Sequence, residues 1–163
     1  MNNTSNLIPW KTADILDATG GDLVTGSGDR MFSGISIDSR SVASGELFVA
    51  IVGEVHDGHT FANSVVKKGV RGVLVEKGQA EGLMLEDPAA QGTVVVTVAD
   101  TTRALGALAA FNRCRTPLTV IALTGSNGKT STRTMLTHIV GRKYETLATM
   151  GNFNNEIGLP LTL

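Results

Sequence analysis
A lysine followed by two hydroxyl residues, Lys129-Thr130-Ser131, closes a glycine-containing stretch whose residue types suit phosphate chemistry. The stretch reads Thr124-Gly125-Ser126-Asn127-Gly128-Lys129-Thr130-Ser131. Glycines let backbone N–H groups approach a phosphate with no Cβ in the way. A helix that starts behind such a loop adds unpaired N–H groups and the positive end of its dipole. In this arrangement Lys129 reaches the β- and γ-phosphates of a nucleotide, and the Thr130 hydroxyl sits on a Mg2+ ion. The general pattern G-x-x-x-x-G-K-[ST] asks for a first glycine at position 123, where this chain has Leu123, so the loop is a shorter variant. The bland alternative is a Gly-Asn-Gly turn on a surface loop.

Three further groups carry polar chemistry. Asp38-Ser39-Arg40 puts a small hydroxyl donor and a guanidinium together, a combination able to hold a diphosphate; the same residues also make a solvated turn with a local Asp–Arg pair. His56 and His59 are three apart, but no Cys or further His accompanies them, so a hydrogen-bonding or turn role outweighs metal binding. Asn152, Asn154 and Asn155 precede Glu156-Ile157-Gly158-Leu159-Pro160, and read either as a turn capping a helix or as a polar lip at the carboxyl end of a strand.

The elements that must position these groups follow from hydrophobic periodicity. The β-branched run 119–124 predicts a buried strand, and Met135, Leu136, Ile139 and Val140 share one face of a helix after the loop. Strand, glycine loop, Lys-Thr and helix together are the layout of a phosphate-binding loop. Residues 144–149 predict the next strand, with Gly141 capping the helix before it. Upstream, residues 10–18 read as a short helix stopped by Gly20-Gly21, with Thr12 as its cap, Ile15 and Leu16 on its apolar face and Trp10 as a packing anchor. Residues 23–31 read as a turn region.

Ile35 and Ile37 alternate with polar residues as in a half-buried strand, and 46–52 reads as a buried one. A helix over 60–68 follows, with Phe61, Val65 and Val66 inward and Gly69 at its end. Strands over 70–76 and 93–98 come next, the loop 77–92 between them, and then a helix over 101–115 bearing Leu105, Leu108, Ala109 and Phe111, capped by Asp100 or Thr101 and stopped at Thr116-Pro117. The fold class is α/β. Residues 1–100 form a small α/β domain, 101–116 a connecting helix, and 117–163 the opening of a second, parallel-sheet domain.

The chain has 163 residues, 42% of them hydrophobic, enough for one ordinary domain or one small domain and part of another. A net charge of −1 carries no nucleic-acid footprint and no attraction to anionic membrane. The single cysteine, Cys114, rules out an intrachain disulfide and reads as a partly buried helix residue. The start of the chain lacks the charge and apolar core of a signal peptide, and the longest apolar runs are strand-sized, so a cytoplasmic protein is expected.

In this order, the motifs resemble the Mur ligase family, the ATP-dependent amide ligases of peptidoglycan precursor synthesis. The loop 124–130 is similar to their nucleotide loop, which folylpolyglutamate and cyanophycin synthetases share in similar form. Asp38-Ser39-Arg40, Gly45-Glu46-Leu47-Phe48-Val49-Ala50, Asp57-Gly58-His59-Thr60-Phe61 and residues 69–76 look like the family's UDP-binding domain. Gly151-Asn152-Phe153-Asn154-Asn155-Glu156-Ile157-Gly158-Leu159-Pro160-Leu161-Thr162-Leu163 looks like the branch that joins D-alanyl-D-alanine to UDP-N-acetylmuramoyl-tripeptide. The resemblance runs from about Ile8 to Leu163.

It implies ATP and Mg2+ as cofactors. Gly125, Ser126, Asn127, Gly128, Lys129, Thr130 and Ser131 would bind ATP, with Lys129 neutralising the γ-phosphate and Thr130 holding the metal. Ile37, Ser39 and Arg40, with Val55 and His56, would hold the uridine diphosphate, and Asn154 and Asn155 would face the substrate or the metal. The implied reaction transfers the γ-phosphoryl group to the tripeptide carboxylate, and the amine of D-alanyl-D-alanine then attacks the acyl phosphate. Such chemistry needs positioning and charge neutralisation rather than a covalent nucleophile.

Mur ligases have three domains. This chain matches the first and the opening of the second, so it is expected to be an N-terminal fragment that does not itself catalyse ligation. The competing readings are a non-catalytic module that binds a UDP-sugar-peptide, another ligase of the family such as the tripeptide-forming one, and an unrelated kinase or GTPase. Against the last stand Leu123, the Asn-Asn-Glu-Ile-Gly cluster and the lack of a guanine-reading N-K-x-D motif.

Overall fold
The computed structural model describes residues 8–53, 55–83, 91–149 and 155–163. The chain divides into two compact units, Met1–Leu108 and Ala109–Leu163. Among the described residues no helix is long and apolar enough to cross a membrane.

The first unit is built on a five-stranded sheet. Its strands are β2 (Asp22–Thr25), β4 (Ile35–Ser36), β5 (Leu47–Val49), β6 (Gly72–Glu76) and β7 (Val94–Val98), in the order β2-β7-β6-β5-β4. β4, β5, β6 and β7 run parallel, and β2 pairs antiparallel with β7 at one edge. A separate antiparallel pair joins β1 (Trp10–Lys11) to β3 (Met31–Phe32). The central strands are near-continuous Val and Leu because parallel strands are covered on both faces. On one face Phe48, Val73, Val75 and Val95 pack with Val65 and Val66 of α2 (Ala62–Lys67). On the other, the ring of Phe32 lies so close to Gly72 that a Cβ there would stand 2.3 Å from it.

The order strand, strand, helix, strand, strand between Gly34 and Val98 is present as expected. So are the helix α3 (Thr101–Cys114), whose first turn Asp100 caps through the Arg103 N–H at 2.9 Å, and the buried Trp10.

Several expectations change. Helix α1 (Thr12–Thr19) starts two residues later than expected, because Trp10 is in β1; Lys11 occupies the cap position, and Thr12 is buried with its hydroxyl donating to Arg30 O at 3.3 Å. Residues 23–31 are not simply a turn: Asp22–Thr25 is an edge strand, paired with β7 on one side, with Asp22, Leu23 and Val24 exposed. Phe61 lies in a 3-10 turn (Gly58–Phe61) and stays exposed, while Val65 and Val66 are inward as expected. Cys114, at the last position of α3, is exposed rather than partly buried.

The second unit contains the end of α3 and the helix α4 (Lys129–Val140), which ends at Gly141. The expected strands at 119–124 and 144–149 are not formed: none of the described residues there joins a ladder. A strand is a pairing, and an apolar run records the tendency to be buried, not the presence of a neighbour. Accordingly Leu118, Ile121, Tyr144 and Leu147 are exposed, and α4 has no buried residue although Met135 and Ile139 lie on one face. Asn112 Nδ2 donates to the Leu163 carbonyl at 2.8 Å and ties the last residue to α3.

Candidate functional site
The residues proposed for phosphate binding form one continuous turn. Gly125 and Gly128 both adopt positive φ, +144° and +79°, which side-chain-bearing residues rarely do. Gly128 is the N-cap of α4 and, having no side chain, makes no cap bond to the first helical N–H groups. A Cβ on Gly128 would meet nothing within 4 Å, so there is open space beside the turn at that position. The Lys129 ammonium is folded back onto the Gly125 carbonyl of its own loop. Ser126, Asn127, Thr130 and Ser131 are exposed around the turn. This is a cradle of backbone donors, a cation and hydroxyls, and it fits a phosphate chain.

A second candidate site is set by the sheet of the first unit. β4 and β5 are parallel neighbours, so the segments leaving their carboxyl ends emerge along one sheet edge, where ligands bind in open α/β sheets. Ile37, Ser39 and Arg40 follow β4; Val55 and His56 follow β5. The first segment is a turn closed on Asp38, whose carbonyl accepts from Ser41 and Val42 N–H at 3.2 and 3.0 Å. The Asp38 carboxylate takes Arg40 Nε at 2.9 Å, Arg40 Nη2 at 2.7 Å and the Arg40 backbone N–H at 3.0 Å. These bonds hold the Asp38 carboxyl at about 2, below its ordinary 3.8, and push the Arg40 guanidinium upward. The local Asp–Arg pair is therefore present, and it also orients a guanidinium that has more N–H donors than the two this fork uses. Lys68 Nζ donates to the Ser39 carbonyl at 3.3 Å and braces the turn from the end of α2.

The segment after β5 closes on itself. Gly53 N–H donates to His56 O and Gly58 N–H to Ile51 O, both at 2.8 Å, leaving Val55 and His56 exposed at its tip. Gly58 is required there: a Cβ would stand 2.7 Å from Ile51 N and 2.8 Å from Ile51 O. Asp57 Oδ1 accepts from the His59 N–H at 2.9 Å and meets His59 Nδ1 at 2.6 Å. The backbone bond first, and the imidazole second, lower the Asp57 carboxyl below the ordinary range. His59 thus serves a hydrogen-bonding role, as its lack of metal-binding company implies.

Asn155 Oδ1 accepts from Gly158 N–H at 2.7 Å and so caps a turn. Asn154 lies outside the described residues. Among the described residues no group of three or more His, Cys, Asp or Glu side chains comes together to hold a metal. Lys68 is the bracing residue that no sequence signal marks, whereas the Asp57-Gly58-His59 triplet, an acceptor two residues before a donor across a glycine, is legible as a turn.

Two family models match the chain: the Mur ligase family catalytic domain over residues 31–113 and the Mur ligase middle domain over 123–163. The chain is 38% identical over 138 residues to the UDP-N-acetylmuramoyl-tripeptide--D-alanyl-D-alanine ligase of Treponema pallidum (strain Nichols), covering 83% of this chain and 30% of that protein. A crystal structure of MurF from Acinetobacter baumannii superposes with a TM-score of 0.81 at 38% identity, over 96% of this chain and 33% of that one. The MurF ligase of Thermotoga maritima in complex with ADP superposes at 0.66 with 29% identity, over 78% of this chain and 28% of that one. The chain spans about a third of the length of the curated relatives it matches.

Proposed function
The chain belongs to the Mur ligase family, and on that footing we propose that it supplies the substrate-nucleotide domain and the opening of the ATP-binding domain of a peptidoglycan-precursor ligase. In this reading residues 1–100 bind the UDP moiety of UDP-N-acetylmuramoyl-tripeptide, 101–116 connect, and 117–163 begin the ATP-binding domain. The complete enzyme adds D-alanyl-D-alanine to the tripeptide in the cytoplasm, where ATP is available.

The observation that carries this reading is a pair of unlike local arrangements in one chain, each suited to an anion. One is the glycine turn at the start of α4. The other is the pair of polar segments leaving β4 and β5 at the same sheet edge.

ATP, when bound with Mg2+, supplies the phosphoryl group that activates the tripeptide carboxylate. The chain's own part is to hold and neutralise. Gly125–Gly128 backbone N–H groups receive the phosphates, Lys129 exchanges the Gly125 carbonyl for phosphate oxygens, and Ser131 lies on the first turn of α4 behind them. Thr130 would hold the metal through its hydroxyl, and the bound metal would neutralise phosphate charge. Arg40 and Ser39 bind the diphosphate of the acceptor, with Ile37, Val55 and His56 beside the uridine.

Calorimetric titration of the chain with Mg-ATP tests the nucleotide half. Saturable binding that Lys129→Ala weakens at least tenfold is expected; equal binding by both proteins would contradict it.

A further inference from the structure
β5 stops at Val49, yet the ladder it makes with β6 has one more bond to give. Ala50 N–H donates to Leu74 O at 3.0 Å. In a parallel ladder the next bond runs from Glu76 N–H back to the Ala50 carbonyl. Here Glu76 N–H instead donates to Nε2 of His59, at 3.0 Å. On its other side Glu76 keeps its register with Val98 of β7. The imidazole has taken the position of a ladder acceptor, which frees the chain after Ala50 to turn outward into the 52–58 loop.

The same ring fixes the base of that loop. Because Nε2 accepts a backbone N–H, it carries no proton; the ring proton is on Nδ1 and is donated to Asp57 Oδ1, 2.6 Å away. Asp57 also bridges to Val52 across the loop, and its carbonyl accepts from Thr60 Oγ1 at 2.7 Å. The His59 side chain is only 4% exposed, so it touches no solvent-borne ligand itself.

We propose that His59 is a positioning residue for the substrate-nucleotide site: by replacing the Ala50 carbonyl as partner of Glu76 and by holding Asp57, it sets where Val55 and His56 stand relative to the sheet edge. This rests on the reading of that edge as the UDP site. The link to Glu76 is the determining one, since it joins the loop to the rigid centre of the sheet. Asn at position 59 can reproduce the Nδ1 donor but not the Nε2 acceptor, and Gln can reproduce the acceptor but not the donor.

The experiment uses the whole chain, UDP as probe, and His59→Gln, His59→Asn and Arg40→Ala. In the unaltered protein, nitrogen-15 imidazole spectra should place the proton on Nδ1; a proton on Nε2 would overturn the proposal without recourse to any variant. His59→Gln should bind UDP within about threefold of the unaltered chain, and His59→Asn at least tenfold more weakly, with the amide signals of Val55 and His56 shifted. If the unaltered chain binds UDP and Arg40→Ala does not, while His59→Asn binds normally, this proposal falls and the UDP reading stands. If the unaltered chain does not bind UDP, the ligand reading falls first and takes the proposal with it.

Discussion

Asp38 holds Arg40 with both carboxylate oxygens, at 2.9 and 2.7 Å, inside the tight turn that follows β4. The pair is open to water, so its contribution to stability is small. Its effect is geometric: a planar guanidinium in a two-point fork points its remaining donors in a fixed direction.

That fork has a pH signature. The Asp38 carboxyl titrates at about 2 in the folded chain, against an ordinary 3.8. A folded value below the unfolded one means that the pair is fully formed above 3.8 and is lost as pH falls through about 2. NMR titration of the Asp38 carboxyl should find a midpoint near 2, and Arg40→Ala should return it toward 3.8. An unchanged midpoint in the variant would show that Arg40 is not its cause.

Removal of the imidazole at 59 has a predictable cost. His59→Ala leaves the Glu76 N–H without its acceptor and Asp57 without its side-chain donor. An orphaned part-buried donor costs about 1–3 kcal/mol. Urea denaturation followed by circular dichroism should show a loss in that range, and His59→Gln should recover part of it.

Gly58 is a test of close approach rather than of backbone freedom. A methyl group there would lie 2.7 Å from Ile51 N, and backbone atoms in a sheet edge give way poorly. Gly58→Ala should destabilise the chain by about 1–3 kcal/mol, as overpacking does. Denaturant unfolding checks this. A substitution at Gly28, where a Cβ would meet nothing within 4 Å, is the control and should change little.

The two units should differ in local stability. The first has a core of fully buried Val, Leu and Phe side chains, whereas α4 in the second buries none of its residues. Hydrogen exchange should therefore be fast through residues 129–140 and slow through β6 and β7. Equal protection in a dilute monomer would contradict the expectation.

The parts of the fold legible in sequence were those whose signal is local. Residues 72–76 and 94–98 are apolar runs buried on both faces, and Gly20 and Gly69 stand at positive φ where helices end. β2 was not legible, because an edge strand with Asp22, Leu23 and Val24 all exposed shows no alternation to read. The two-residue strands β1 and β3 depend on pairing Trp10 with Phe32 across the chain, which no local window reveals. The error at 119–124 has the opposite origin: the run is strand-like, but a strand forms only where a neighbour offers donors and acceptors.

Within the site, Asp38 and Arg40 were recognisable because an Asp two residues before an Arg pairs locally. The bond between His59 and Glu76 was not, because it spans 17 residues and replaces a ladder bond.

On the proposed reading the edge formed by β4 and β5 receives a uridine diphosphate, independently of the phosphate loop at α4. Titration of the chain with UDP, read by calorimetry, tests it most directly. Saturable binding is expected, weakened at least tenfold, about 1.4 kcal/mol, by Arg40→Ala and unchanged by Lys129→Ala. Absence of UDP binding, or a loss caused equally by Lys129→Ala, would contradict it.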